Sequence, residues 1–388
     1  MNQSKTVLTL DAGGTNFVFS AIENEKELVD PVTLPAQAHD LKLCLANLIA
    51  GFESIISQLD KKPDAISFAF PGPADYPKGI IGNLPNFKAF KGGVALGPML
   101  EDEFGIPVFI NNDGNLFAYG EALNGILPEI NQKLEAAGSV KRFNNLIGIT
   151  IGTGFGCGIV LDGKLLTGDN SCGSEIHNTL NVGNSDWNAE ESVSTRAIQR
   201  VYAEEAGLDF EALMPGEIYE IAKDEKDGNI VAALTSFQQF GTALGNSIAN
   251  VLTLIDGLVV IGGGVSAGWD LFAPFMFKAL RKKYNNFNGD ESDRLSFVVY
   301  DLEDEQESEK FLKGNSIEII VPRSGRKIEY DNWARAGVGK TVLGTSNAVN
   351  LGAYAYALNK LNEEKLIPPA RTNNANKKMG NILNEAAG

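Results

Sequence analysis

The chain of 388 residues has little cysteine, little histidine and a shortage of positive charge. Its three cysteines, Cys44, Cys157 and Cys172, are odd in number and far apart, which excludes a disulfide framework. No Cys-x-x-Cys occurs, so a cysteine-based zinc knuckle is excluded and no structural zinc is expected. Lys and Arg number 33 against 49 Asp and Glu, a formal net charge of −16. Such a body is not built to lie along a nucleic acid or an anionic lipid surface, because either partner calls for a basic face. No apolar run approaches the roughly 18 residues a membrane span needs. The polar start MNQSK leads directly into a strand-like run, with no pattern of a secretory leader. The expectation is a cytoplasmic protein with no nucleic-acid and no membrane partner.

What the chain has in excess is glycine, 42 residues without a collagen-like period. Their placement carries information. Val7–Asp11 is a short apolar run that stops at Asp11-Ala-Gly13-Gly14-Thr15-Asn16, and 16–23 alternates like a hairpin partner. Leu146–Ile151 stops at Gly152-Thr153-Gly154, with a strand-like mate in 157–161. A strand, a glycine turn and a second strand therefore occur twice, about 140 residues apart, a weak internal duplication. A third glycine cluster, Gly262-Gly263-Gly264, follows the apolar run 258–261. Strands are also expected at 64–70 and 108–111, and helices at 41–58, 98–104, 116–123, 193–205, 229–254 and 347–361. This order reads as α/β.

Glycine brings bare backbone amides close to a ligand, and two facing glycine turns make a clamp for phosphate oxygens. Asp11, at a strand end, is placed to hold Mg²⁺ through water. Alone, either turn is no more than a hairpin. The Gly152-x-Gly154-x-Gly156 run mimics a dinucleotide fingerprint, but a strand follows it and not a helix. The glycines 262–264 leave room for a flat ring such as adenine. Asn112-Asp113 stands between a strand and a helix. Asp113 is either an N-cap or, between two phosphate loops, a carboxylate that takes a proton from an attacking hydroxyl. Glu175, His177 and Glu190 form a polar group suited to sugar hydroxyls. His39 sits in a loop-like stretch and reads as merely exposed. Ala334 to Thr341 imitates a phosphate-binding loop, but the first glycine is missing and no buried strand precedes it.

The ordered set Asp11-x-Gly13-Gly14-Thr15, Pro71-Gly72, Asn83-x-Pro85, Asn112-Asp113, Gly152-Thr153-Gly154, Glu190 and Gly262-Gly263-Gly264 resembles the ROK (repressor, open reading frame, kinase) sugar kinases. The resemblance spans roughly 5–280 and resumes at 347–361. It implies two ribonuclease-H-like α/β domains of the actin–hexokinase–Hsp70 ATPase type with a cleft between them, and ATP with Mg²⁺ as cofactors. It further implies Asp113 as catalytic base, with Asn83, Asn112, Glu175, His177 and Glu190 near a small sugar. Residues Asp11, Gly13, Gly14, Thr15, Asn16, Gly152, Thr153, Gly154 and Gly262–Gly264 would hold the nucleotide. The expected reaction is phosphorylation of a hexose, glucose at its 6-hydroxyl first. N-acetylmannosamine, N-acetylglucosamine and fructose are alternatives, as is a non-catalytic sugar- or nucleotide-binding protein.

The family's Glu-x-Gly-His and its zinc-binding cysteines are altered here to Gly173-Ser174-Glu175-Ile176-His177-Asn178. Placing Glu175 on the family Glu puts Asn178 where the His belongs, while placing His177 on the His puts Ser174 at the Glu. The first glycine turn begins at Asp11, which leaves no room for a helix-turn-helix ahead of it. The domain division expected is 1–122 completed by the helix 347–361, then 123–346 with an insertion near 285–336, then a polar tail over 362–388. The acidic cluster 301–309 reads as a solvated face, and 295–300, 317–322 and 327–330 as strands of a small separate sheet. Relatives are commonly dimers, which makes a homodimer the protein partner the resemblance allows.

Overall fold

Two apolar runs, each broken by a glycine turn, start two separate sheets. The computed structural model describes residues 4–366 apart from 14, 73, 83–87 and 211–212. In the first sheet β1 (Thr6–Ala12) pairs antiparallel with β2 (Asn16–Glu23), and β2 carries the short strands β3 (Lys26–Glu27) and β4 (Val32–Pro35). Two strands parallel to β1 complete it, β5 (Ala65–Ala69) and the edge strand β6 (Val108–Asn111). The second sheet repeats the plan. Its β7 (Leu146–Ile151) and β8 (Phe155–Leu161) form the hairpin, and β9 (Lys164–Leu165) extends β8. Its parallel strands are β10 (Leu258–Gly262), β11 (Val298–Asp301) and β12 (Arg335–Lys340), with β12 lying between β10 and β11.

The alternation of each strand decides what covers it. Leu8, Leu10, Phe17 and Phe19 face a core closed by α1 (Leu41–Ile56) and α2 (Leu96–Phe104). Val7 and Ala65 point the other way, onto Tyr354 and Ala357 of the C-terminal helix Thr345–Leu366. The helix α3 (Asp113–Asn124) lies against that C-terminal helix and also covers Leu146, Val160, Leu258 and Val260 of the second sheet. Behind α3 runs α4 (Ile126–Ala136). The far side of the second sheet, with Ile147, Ile149 and Ile151, packs on α5 (Thr195–Ala206), α6 (Pro215–Ala222), α7 (Ile230–Ile255) and α8 (Trp269–Leu280). After α9 (Glu305–Lys313), the C-terminal helix is α10.

The pair α3 and α10 thus sits between the two sheets. They cross at van der Waals limit: a Cβ on Gly120 would lie 2.0 Å from the Ala348 carbonyl oxygen, and one on Gly352 would lie 1.9 Å from that of Leu116. Only glycine at both positions lets the backbones approach so closely.

The stretch near 285–336 differs from the expectation of one small separate sheet. Its residues 298–301 enter the large second sheet as β11, because Val299 alternates into the same core as Val338. The segments Ser316–Ile320 and Lys327–Asp331 do form an isolated hairpin, and Lys283–Asn285 pairs with Glu291–Asp293 in another. Nor is the acidic cluster simply a solvated face. Asp304 caps α9, and Glu307 accepts from the Asp301 amide at 2.8 Å and pairs with Arg281. The look-alike phosphate loop is interior strand: Val338 pairs with Val259, and Lys340 with Ile261.

Candidate active site

Between the sheets opens a cleft of about 1080 Å³. It is lined by Asn112 and Asp113, by the second glycine turn Gly152-Thr153-Gly154, by Glu175, His177 and Glu190, and by Gly263. Residues expected to act together from positions as far apart as 112 and 263 thus line one cleft.

Asn112 and Asp113 are delivered by the end of β6 and the start of α3. The cap of α3 falls to the residue before Asp113. The N-cap is Asn112, whose Oδ1 accepts from the amides of Gly114 at 2.8 Å and Asn115 at 3.4 Å. Asp113 is the first helical residue, and its Oδ1 accepts from Gly114 N at 2.9 Å. Its side chain is exposed to the cleft, in a recess whose walls limit its hydration. Loss of solvation raises its pKa above the ordinary Asp value, and the charge of Asp11 adds to the rise.

Asp11 ends β1, bonded to Ser346 at the start of α10, and burial raises its pKa too. Of the rest of the first turn, Gly13 is half-buried, and Thr15 and Asn16 are exposed and do not line the cleft. Gly14 and Asn83 lie outside the described residues.

The second turn offers bare backbone. A Cβ on Gly152 would meet no atom within 4 Å, so packing does not require glycine there and the space is open to a ligand. The turn is braced from beneath. Glu190 Oε2 accepts from Phe155 N at 3.0 Å, its Oε1 accepts from Arg196 at 3.1 Å, and Thr195 N donates to the Gly152 carbonyl at 2.9 Å. Ser194 caps α5, which fixes this brace.

The third glycine cluster behaves differently from a flat platform. Gly262 packs on Phe117, at 2.7 Å from an added Cβ, and Gly263 has φ +89° with an added Cβ 2.2 Å from the Ile151 carbonyl. Only Gly264 faces open space. Glu175 and His177 come as a pair, Nδ1 to Oε2 at 2.9 Å, and Asn178 lines the cleft beside them. The two alignments weighed for this segment therefore do not compete for space. His39 is exposed, away from the cleft lining.

Several residues of the site carry no obvious mark in the sequence. Tyr76 lines the cleft, donates to the Phe70 carbonyl at 2.9 Å, and has its pKa raised by burial. Thr345 Oγ1 accepts from Gly263 N at 2.8 Å, which ties α10 to the third cluster. Glu121, fully buried, accepts from the Thr341 hydroxyl, from Leu343 N at 3.3 Å and from Ile126 N at 2.9 Å. It holds the turn that presents Thr345 and Ser346. A Thr-Ser pair just before a helix was the one available signal.

The arrangement fits a nucleotide with a magnesium ion. Mg²⁺ takes one or two carboxylates and keeps waters and phosphate oxygens for its other positions. Asp11 would supply such a carboxylate. Among the described residues no group of three or more His, Cys, Asp or Glu forms a metal cage. The open backbone at Gly152 and Gly264 leaves room for phosphate oxygens. Among the described residues no helix is long and apolar enough to cross a membrane.

Comparison with known proteins gives three kinds of likeness. A profile of the ROK family matches residues 7–305. The crystal structure of glucokinase from Parabacteroides distasonis is 52% identical, with TM-score 0.84 over 92% of this chain and 98% of that one. An N-acetyl-D-glucosamine kinase of Aliivibrio salmonicida is 29% identical over 280 residues, 66% of this chain and 83% of its own length. A ROK family glucokinase from Streptomyces griseus, solved with glucose and AMPPNP, shares the fold at 19% identity and TM-score 0.57, over 91% of this chain and 98% of that one.

Proposed function

The chain belongs to the ROK family, and on that premise we propose that it transfers the terminal phosphoryl group of ATP to the 6-hydroxyl of glucose. Its two sheets with α3 and α10 between them have the actin-like ATPase fold. The observation that carries the reading is Asp113, a carboxylate of raised pKa freed from capping and standing in a cleft beside a bare glycine turn.

Asp113 accepts the proton of the sugar hydroxyl as that oxygen attacks. Bound ATP with Mg²⁺ supplies the phosphoryl group and neutralises the charge that develops on it. Asp11 would hold the ion. The amides around Gly152-Thr153-Gly154 and near Gly264 take phosphate oxygens, and Gly262 and Gly263 set the backbone that carries Gly264. Gly13, Thr15 and Asn16, with Gly14 on the strength of the sequence alone, are the nucleotide contacts proposed from the first turn. Asn112, Glu175 and His177 hold sugar hydroxyls, and Asn83 is proposed as a further sugar contact on the strength of the sequence motif alone. Glu190 acts on both sides, bracing the glycine turn and facing the sugar. The domain division that follows is an N-terminal part completed by α10 and a larger C-terminal part. A soluble cytoplasmic homodimer is the assembly proposed.

Support for glucose over other sugars comes from the relative at 52% identity, a glucokinase. The N-acetyl-D-glucosamine kinase at 29% keeps the 2-acetamido sugar as the second reading. An ADP-release assay over glucose, mannose, fructose, N-acetylglucosamine and N-acetylmannosamine decides it. The expected result is the highest kcat/KM with glucose. A higher value for an acetamido sugar overturns the choice of sugar. Sugar binding without turnover of any of them overturns the kinase reading in favour of a binding protein.

A further inference from the structure

Tyr76 stands where three segments of the cleft wall meet. It opens the one-turn helix Tyr76–Lys78, which Asp75 caps by accepting from Lys78 N at 3.3 Å and which Gly79 ends at φ +63°. The ring is buried, at 8% exposure, and lines the cleft.

Its hydroxyl has two partners. It donates to the Phe70 carbonyl at 2.9 Å, just beyond the end of β5. Its oxygen is bonded in turn to the side chain of Asn112, just beyond the end of β6. The two strands are parallel neighbours, and Phe70 N donates to the Asn111 carbonyl at 2.9 Å. Tyr76 therefore clasps the two strand ends from which Asn112 and Asp113 emerge. The glycine of Pro71-Gly72 belongs to the same arrangement, since a Cβ there would crowd the Tyr76 hydroxyl at 3.1 Å.

These bonds fix which way the Asn112 amide faces. A primary amide has two acceptor lone pairs on oxygen and two donor hydrogens on nitrogen. The oxygen accepts from Gly114 N and Asn115 N at the start of α3, so both lone pairs are taken. The Tyr76 hydrogen goes to Phe70, so its oxygen accepts, and the atom of Asn112 that reaches it is Nδ2. One N–H of Asn112 is left for the cleft, and no acceptor.

The charges of Asp113 and Glu175 also reach the Tyr76 hydroxyl, where both oppose its ionisation. A sugar hydroxyl placed between Asn112 and such a carboxylate accepts from the one and donates to the other, which uses both of its hydrogen-bonding modes. A ring or ether oxygen has no hydrogen to give the carboxylate.

We propose that Tyr76 is a positioning residue for the sugar: its hydroxyl holds the Asn112 amide with a single N–H turned to the cleft, so that Asn112 donates to a sugar hydroxyl and does not accept from it. The inference rests on the sugar-kinase reading of the cleft.

The test is a double-mutant cycle of wild type, Tyr76→Phe, Asn112→Ser and the double variant, read on kcat/KM for glucose at saturating ATP and Mg²⁺. Phenylalanine keeps the ring and removes only the hydroxyl. Serine keeps a side-chain cap for α3 and removes the amide. Tyr76→Phe is expected to lower kcat/KM roughly five- to tenfold, the scale of one lost hydrogen bond. The loss falls on KM, with kcat near the wild-type value because Asp113 is untouched. In the Asn112→Ser background the same change is expected to cost nothing further, because residues that act through one another are not additive. An equal fold-loss in both backgrounds overturns the inference and makes Tyr76 a clamp of the strand ends alone, whatever the change in melting temperature. Undiminished kcat/KM in Tyr76→Phe overturns it as well, and so does a loss that falls on kcat with KM unchanged. Each of these leaves the kinase reading standing. A wild type that phosphorylates no glucose contradicts that reading itself, and this inference with it.

Discussion

The two glycine turns that open the two sheets share a plan and differ in what they bring to the cleft. Both follow a buried strand, and both feed an antiparallel hairpin whose first strand has parallel neighbours on its other side. The first turn brings charge: Asp11 sits at its base, bonded to Ser346 and close enough to Asp113 to raise its pKa. The second has no carboxylate of its own. It brings open backbone at Gly152 and is braced from outside by Glu190 and Thr195. In the proposed function a duplicated unit would thus divide the work a metal-bound polyphosphate requires, a cation site on one side and neutral donors on the other. Asp113 would stand where both act.

The division can be broken at different points, with effects of different size. Removing what both turns serve costs most: Asp113→Ala is expected to lower kcat about 10²–10⁴-fold at saturating ATP and glucose, as loss of a general base does. Undiminished turnover in a coupled assay counts against the assignment.

Next comes the charged turn alone. Asp11→Asn is expected to raise the Mg²⁺ concentration for half-maximal rate by ~10–100-fold, the range for residues that hold a metal indirectly. A magnesium titration at fixed ATP reads this. An unchanged midpoint would mean that the charge of the first turn serves something else.

The bare turn is expected to respond to bulk. Gly152→Val enters open space, so KM for ATP should rise roughly tenfold, about 1.4 kcal/mol, with no change in melting temperature. Gly263→Ala gives the opposite pattern. Its φ of +89° and the Ile151 carbonyl 2.2 Å from the added Cβ strain the fold itself, at a cost of ~1–3 kcal/mol. Urea unfolding of the two variants separates a glycine kept for a ligand from one kept for packing.

The smallest effect is on stability. In the protein without nucleotide or metal, Asp113 has a raised pKa because burial and Asp11 disfavour its charge. The folded state then binds this proton more tightly than the unfolded state, so stability falls as pH rises from the ordinary Asp range through the raised value. Asp113→Asn removes that loss. It is expected to melt higher than wild type at neutral pH, with the gap closing as pH drops to about 4, near the unfolded Asp pKa.

The elements legible in the sequence were those whose cause is local. A buried run ending in glycine names both hairpins, and apolar residues at helical spacing mark α5 and α7. Asp113 was legible as a candidate, but its release from capping depends on Asn112 taking the cap, a choice between neighbours that spacing does not decide. What stayed hidden depends on partners far along the chain. Thr345 matters through Gly263, 82 positions away, and Glu121 through Thr341, 220 away. The strand 298–301 looked like part of a peripheral sheet because it is short and flanked by polar text. It joins the main sheet only because β12 offers an edge. The glycines 262–264 looked alike in sequence, yet neighbours on α3 and β7 make two of them packing residues and leave one open.

The most direct test of the central claim is product analysis by phosphorus NMR of wild type and Asp113→Ala supplied with ATP, Mg²⁺ and glucose. The account predicts one glucose 6-phosphate for each ADP from the wild type, and almost none from the variant in the same time. ADP without sugar phosphate, or an undiminished yield from Asp113→Ala, would contradict it.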